Sequence, residues 1–152
     1  MGCCEFGRED ELFPFEEKAR RFIEGLVPDW KAGRNYSIPS RRKEIENRLL
    51  KIKNTFLGSE EEEKLDYLLN LNRRANLTPA YLYILESYLF PFLERLAFYR
   101  ANAPEGFDSL KSMAEEIVRE FGFRRKFPDN VLIEVAIDSL ISALYCCGGE
   151  DD

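Results

Sequence analysis

Apolar residues recur along this chain at intervals of three and four, the spacing that gathers them on one face of an α-helix. Ile45, Leu49, Ile52 and Phe56 form one stripe, and Leu65, Leu68, Leu69 and Leu71 a second. Tyr81, Leu82, Leu85, Leu89, Phe92, Leu93, Leu96 and Tyr99 form a longer, aromatic stripe, and Leu110, Met113, Ile117 and Phe121 a fourth. No convincing alternation of period two competes with these, so the pattern predicts an all-α fold.

Punctuating residues divide the pattern into about six helices. The first is expected over about 11–24, with Pro14 tolerated in its first turn and Gly25 and Pro28 ending it. Residues 27–39 read as an irregular connection holding Trp30, Gly33 and Tyr36, either a recognition surface or a plug for the end of the bundle. The second helix is expected from an N-cap at Ser40 to Leu57, ending at Gly58. Ser59 followed by Glu62 has the spacing of a capping box for the third. Thr78 and Pro79 supply N-cap and first position for the fourth, which Pro91 must kink or split. Pro104 and Gly106 mark the next loop. The fifth helix runs from about Asp108 to Phe121, with Gly122 after it, and Phe127-Pro128-Asp129 opens the sixth. Short connections favour antiparallel neighbours, so the expectation is a single-domain helical bundle over 1–152 with flexible ends at 1–10 and 148–152.

The sixth helix stands apart. From Val131 to Tyr145 it is almost wholly apolar, interrupted by Glu134, Asp138 and Ser142 at intervals of four, which fall in one line on a helix. Two carboxylates on such a helix must reach water, a cation or a basic partner, because a buried unpaired charge is very costly. The rest of the helix is expected either central in the core or part of a self-association surface.

Composition narrows the chemistry. The chain has no histidine, which removes the commonest neutral-pH general base and the usual histidine metal sites. Its net charge of −6 is opposite in sign to that of most nucleic-acid binders. No uninterrupted apolar stretch approaches the ~20 residues of a bilayer span, and no secretory signal is legible, so a cytoplasmic protein with no membrane contact is expected. Abundant Glu, Lys and Arg give it a thermophile-like composition.

Four cysteines lie in two adjacent pairs, Cys3-Cys4 and Cys146-Cys147. Adjacent cysteines rarely chelate one zinc ion. A disulfide bridge joining the two ends of the chain is a better reading, against the alternative of four reduced thiols. The opening Met1-Gly2-Cys3-Cys4 lacks the Ser or Thr that a myristoylation signal wants at position six, where Phe6 stands.

Two further constellations carry candidate chemistry. Glu116 and Glu120 on the fifth helix, with Glu134 and Asp138 on the sixth, could converge to hold Mg²⁺ or Mn²⁺ and hydrolyse a nucleotide. The all-α pyrophosphohydrolases of the MazG and dimeric dUTPase group carry Glu-Glu-x-x-Glu followed by Glu-x-x-Asp. Here Glu115-Glu116 with Glu120, and Glu134 with Asp138, each run one residue too long, and no membership follows. The acids at Glu60–Glu63 and Asp66 are explained by the dipole of the helix they open. The basic residues cluster at Arg41, Arg42, Lys43, Arg48 and Lys51, and at Arg124, Arg125 and Lys126. Such faces can contact a nucleic-acid backbone, as in the small helical subunits of ribonucleoprotein assemblies, or can pair with the many acids. No catalytic residue is identifiable. The sequence therefore favours a non-catalytic interaction or assembly subunit, one able to form a homodimer, with exposed aromatics of the fourth and sixth helices making the contact.

Overall fold

The computed structural model describes residues 38–121 and 128–148. The elements of the described residues are α1 (Ile38–Asn54), α2 (Glu61–Arg74), α3 (Pro79–Ile84), a π-helical turn (Leu85–Leu89), α4 (Phe90–Asn102), α5 (Phe107–Phe121) and α6 (Asp129–Gly148). Among the described residues every element is helical, as the apolar spacing predicts. The first predicted helix, Trp30, Tyr36 and Gly122 lie outside the described residues.

α1 begins at Ile38, two residues before the expected cap at Ser40, and ends at Asn54 rather than Leu57. A turn follows in which Thr55 and Phe56 bond back to the carbonyls of Ile52 and Lys53, and Gly58 takes a left-handed φ of 83°. The capping box expected at Ser59 is replaced by a different arrangement. The Ser59 hydroxyl donates backwards to the Phe56 carbonyl at 2.6 Å, and Glu62 accepts from the Gly58 N–H at 2.8 Å. A serine can satisfy either end of a turn, and here the tight 55–59 corner has the nearer orphan group. Thr78 behaves as expected, accepting from the Tyr81 N–H at 3.1 Å with Pro79 at the start of the helix.

The effect of Pro91 on the fourth predicted helix is local. Proline lacks an N–H and its ring conflicts with the carbonyl four residues back. The chain responds with a π turn ending just before it, in which the Phe90 N–H reaches the Leu85 carbonyl. The wider turn shifts the phase of the helix beyond it. Phe90, which falls off the apolar stripe in the sequence, is fully buried beside Phe92 and Leu93.

α1 packs on α2. α6 packs chiefly on α5, and also on α3 and the π turn, while α4 packs on α5. Leu140, Ala136, Ile137, Ala143 and Leu144 of α6 are buried with Leu82, Leu85, Leu89, Phe92 and Ala114 in one apolar core. α6 has the length and composition of a bilayer-crossing helix, beyond what the shorter apolar run predicts, yet half of it is buried inside the fold.

Polar clamps close two helix ends. Arg42 donates to the Asn72 carbonyl and, at 2.8 Å, to the Ala75 carbonyl, while Asn72 Nδ2 donates back to the Arg42 carbonyl at 3.2 Å. These bonds satisfy carbonyls that the C-terminus of α2 leaves without intrahelical donors. At the end of α6, the Asn76 N–H reaches the Gly148 carbonyl at 3.1 Å and the Thr78 hydroxyl the Cys147 carbonyl at 3.0 Å. Gly148 permits this approach, since a Cβ there would stand 2.5 Å from Tyr81 Cδ2.

Candidate functional site

The four carboxylates Glu116, Glu120, Glu134 and Asp138 are all solvent-exposed. Among the described residues no three His, Cys, Asp or Glu side chains come close enough to hold an ion, so the four do not assemble into one metal site. The reason is helix phase. α5 buries Ala114, Ile117, Val118 and Phe121, and α6 buries Ala136, Ile137 and Leu140, which leaves the acids on outward faces. Asp138 meets a basic partner instead, Lys64 of α2, at 2.7 Å. Ser142 and Glu134 complete an exposed line.

The basic residues of α1 divide into two groups. Arg42 is half-buried in its carbonyl clamp. Arg48 lies with its guanidinium 3.9 Å from the centroid of the Phe90 ring and bonds Glu86 at 2.8 Å, with Glu94 3.7 Å away. Arg41 pairs with Glu44 one turn on, at 3.1 Å. All three have partners within the fold: carbonyls for Arg42, carboxylates for Arg41 and Arg48. Lys43 and Lys51 remain exposed. Arg124, Arg125 and Lys126 lie outside the described residues.

Among the acids that open α2, Glu61 differs from its neighbours. It is buried, and its Oε2 bonds Arg100 Nη2 at 2.6 Å. That pair ties the start of α2 to the end of α4, a role that the helix dipole alone does not predict.

A groove between α4 and α5 is a concave feature that no motif in the sequence marks. An open hollow of about 550 Å³ is lined by Pro91, Glu94, Arg95, Phe98 and Met113. A smaller hollow of about 160 Å³ continues past Met113 and is lined by Ser87, Tyr88, Glu116 and Ile117. Phe98 is 45% exposed, and the Arg95 guanidinium lies 5.0 Å from its ring centroid. Gly106, at a left-handed φ of 91°, passes close beneath the Phe98 ring. Phe98 falls off the apolar stripe of its helix, as Phe90 does, and only the packing decides that Phe90 is buried and Phe98 exposed.

Tyr88 forms the inner wall of the groove. Its ring stands edge-on to Phe121 at 4.8 Å and to Tyr83 at 5.7 Å. Burial, then the hydrogen bond to Tyr83, then the nearby charges of Glu120 and Glu116 push its phenol well above the ordinary tyrosine range. Tyr88 is therefore a neutral group at physiological pH. The groove presents aromatic surface, the Arg95 guanidinium and the carboxylates of Glu94 and Glu116.

At the end of α6, Cys146 and Cys147 are both disulfide-bonded. Cys3 and Cys4 lie outside the described residues. No protein-family model, curated protein or solved structure matches this chain.

Proposed function

We propose that this protein is a non-catalytic assembly subunit that pairs with a second copy of itself through the α4–α5 groove. The observation that carries this reading is Phe98, a large aromatic held 45% exposed at the mouth of a 550 Å³ groove and capped by Arg95. Aromatic and arginine side chains contribute most to binding hot spots. The charge pattern favours a like partner. A two-fold interface must be complementary to itself, and Glu94 and Arg95 are adjacent opposite charges on the groove wall. A two-fold axis near Phe98 sets each Arg95 opposite Glu94 of the second copy.

Light scattering on the eluting peak of a gel-filtration column tests this. Wild type should run as a dimer at micromolar concentration and Phe98→Asp as a monomer. Arg95→Glu should weaken the dimer, and adding Glu94→Arg should restore it. A monomeric wild type across that range would refute the reading. The same samples titrated with Mn²⁺, and with RNA at low and high salt, distinguish it from a metal-dependent hydrolase or a nucleic-acid-backbone subunit.

A further inference from the structure

Glu116 and Glu120 stand one turn apart on α5, and among the described residues no basic side chain pairs with either. Asp138, Glu86 and Glu61, by contrast, each meet a Lys or Arg. Glu116 also stands at a formed recess. It lines the hollow of about 160 Å³ together with Ser87, Tyr88, Met113 and Ile117. Glu120 is near enough for its charge to act on the Tyr88 phenol, as that of Glu116 does. Ser87 and Tyr88 belong to the π turn, and a π turn within a helix frequently marks a functional site.

The recess is negative, aromatic on one side and apolar beneath. The Tyr88 ring is fixed by its edge contacts with Phe121 and Tyr83. Burial, the Tyr83 hydrogen bond and then the two carboxylates keep its phenol protonated, so it presents a neutral π surface. An anion would be repelled by Glu116 and Glu120. A chelated metal ion lacks ligands, since no three His, Cys, Asp or Glu side chains gather among the described residues. An organic cation suits every wall.

We propose that the hollow between the π turn and α5 binds the ammonium group of a small alkylamine. The ammonium N–H groups donate to the Glu116 carboxylate and to the Ser87 hydroxyl oxygen. The positive charge lies against the Tyr88 ring, and Glu120 adds attraction from one turn away. The short alkyl chain rests on Met113 and Ile117. The hollow is smaller than the ~300 Å³ at which pockets for drug-sized ligands begin, so it selects a head group with a short chain. The site goes beyond the assembly reading and does not depend on it.

Nuclear magnetic resonance tests it, with isotope-labelled Met and Ile methyl groups as reporters. Titration of the full chain with n-butylammonium chloride should shift the Met113 and Ile117 signals saturably, with a Kd on the order of 1 mM. The neutral n-butanol, and sodium chloride at the same ionic strength, should not. Glu116→Gln should weaken binding about tenfold, and Tyr88→Leu about threefold. Tyr88→Phe, which keeps the ring, and Asp138→Asn, which removes an acid elsewhere, should bind as wild type does. Shifts that do not saturate, an equal response to n-butanol, or unaltered binding by Glu116→Gln would each overturn the proposal. The titration is repeated on Phe98→Asp. Saturable binding in either protein upholds the site whether or not light scattering finds a dimer, so the two readings can fail separately.

Discussion

α1 and α6 are attached to this protein by opposite means. α6 is held by packing: Leu132, Ala136, Ile137, Leu140, Ala143 and Leu144 disappear into the core, while Glu134, Asp138 and Ser142 form one narrow outer line. α1 buries Ile45 and Leu49, packs Ile52 partly against the core, and adds polar reach. Arg42 grips the end of α2, and Arg48 lies over Phe90 while bonding Glu86. The comparison teaches that a helix's charge need not advertise a ligand. On α1 the arginines act as long arms whose stems cover apolar surface while their heads satisfy carbonyls and carboxylates. On α6 Glu134 and Asp138 stay outside because the sides that carry Ala136, Ile137 and Leu140 are taken up by packing.

Four perturbations, in descending order of effect, probe that contrast. Leu140→Ala should destabilise by about 2–5 kcal/mol, since it empties space at the centre of the core, and urea unfolding should show a lower midpoint at unchanged slope. Arg42→Met keeps the aliphatic stem and removes the clamp. It leaves the Asn72 and Ala75 carbonyls without that donor and should cost about 1–3 kcal/mol. If Arg42→Met proved neutral, the clamp would add nothing to the other contacts of α1 and the contrast would fail.

Alkaline titration gives the third. Burial raises the phenols of both Tyr81 and Tyr88, against a smaller opposing pull of Arg42 on Tyr81. A group with a raised pKa keeps its proton in the folded state and loses it sooner in the unfolded one. Its stabilising contribution is thus complete below the ordinary tyrosine range and lost as pH rises above it. Tyrosinate absorbance should show two phenols lagging behind the rest and ionising together with the loss of helical circular dichroism. Tyr88→Phe should remove one of the lagging phenols. The smallest effect belongs to Asp138→Asn, where an exposed pair with Lys64 contributes about 1 kcal/mol or less. High salt should erase most of that difference.

Much of the architecture was legible because helix periodicity is a local property. The stripes at Ile45–Phe56, Leu65–Leu71 and Leu110–Phe121, and the cap at Thr78, needed no knowledge of distant residues. The end of α1, the role of Ser59 and the inward turn of Phe90 were not legible, because each depends on a choice among competing hydrogen bonds. Pro91 announced a disturbance, but only the π turn fixed which aromatics it turned inward.

The candidate site was less legible than the fold. The carboxylates of α5 and α6 share helix faces as their spacing requires, yet spacing along one helix says nothing of its rotation against the next. Apolar packing set that rotation and turned the acids to solvent. The α4–α5 groove arises between residues distant in sequence, Phe98 and Met113, neither of which carries a motif.

By itself, the sequence determined that the described chain is helical, where most of its helices begin and end, and which chemistries lack their side chains. Histidine chemistry is absent whatever the fold, because no residue can supply it. Tertiary structure alone decided that Arg42 and Arg48 serve the fold, that Glu61 is buried against Arg100, and that Phe98 faces a groove. The physical reason is range. Periodicity and caps act over a turn or two of backbone, whereas the fate of a charge or an aromatic depends on which surface, far away in sequence, comes to lie against it.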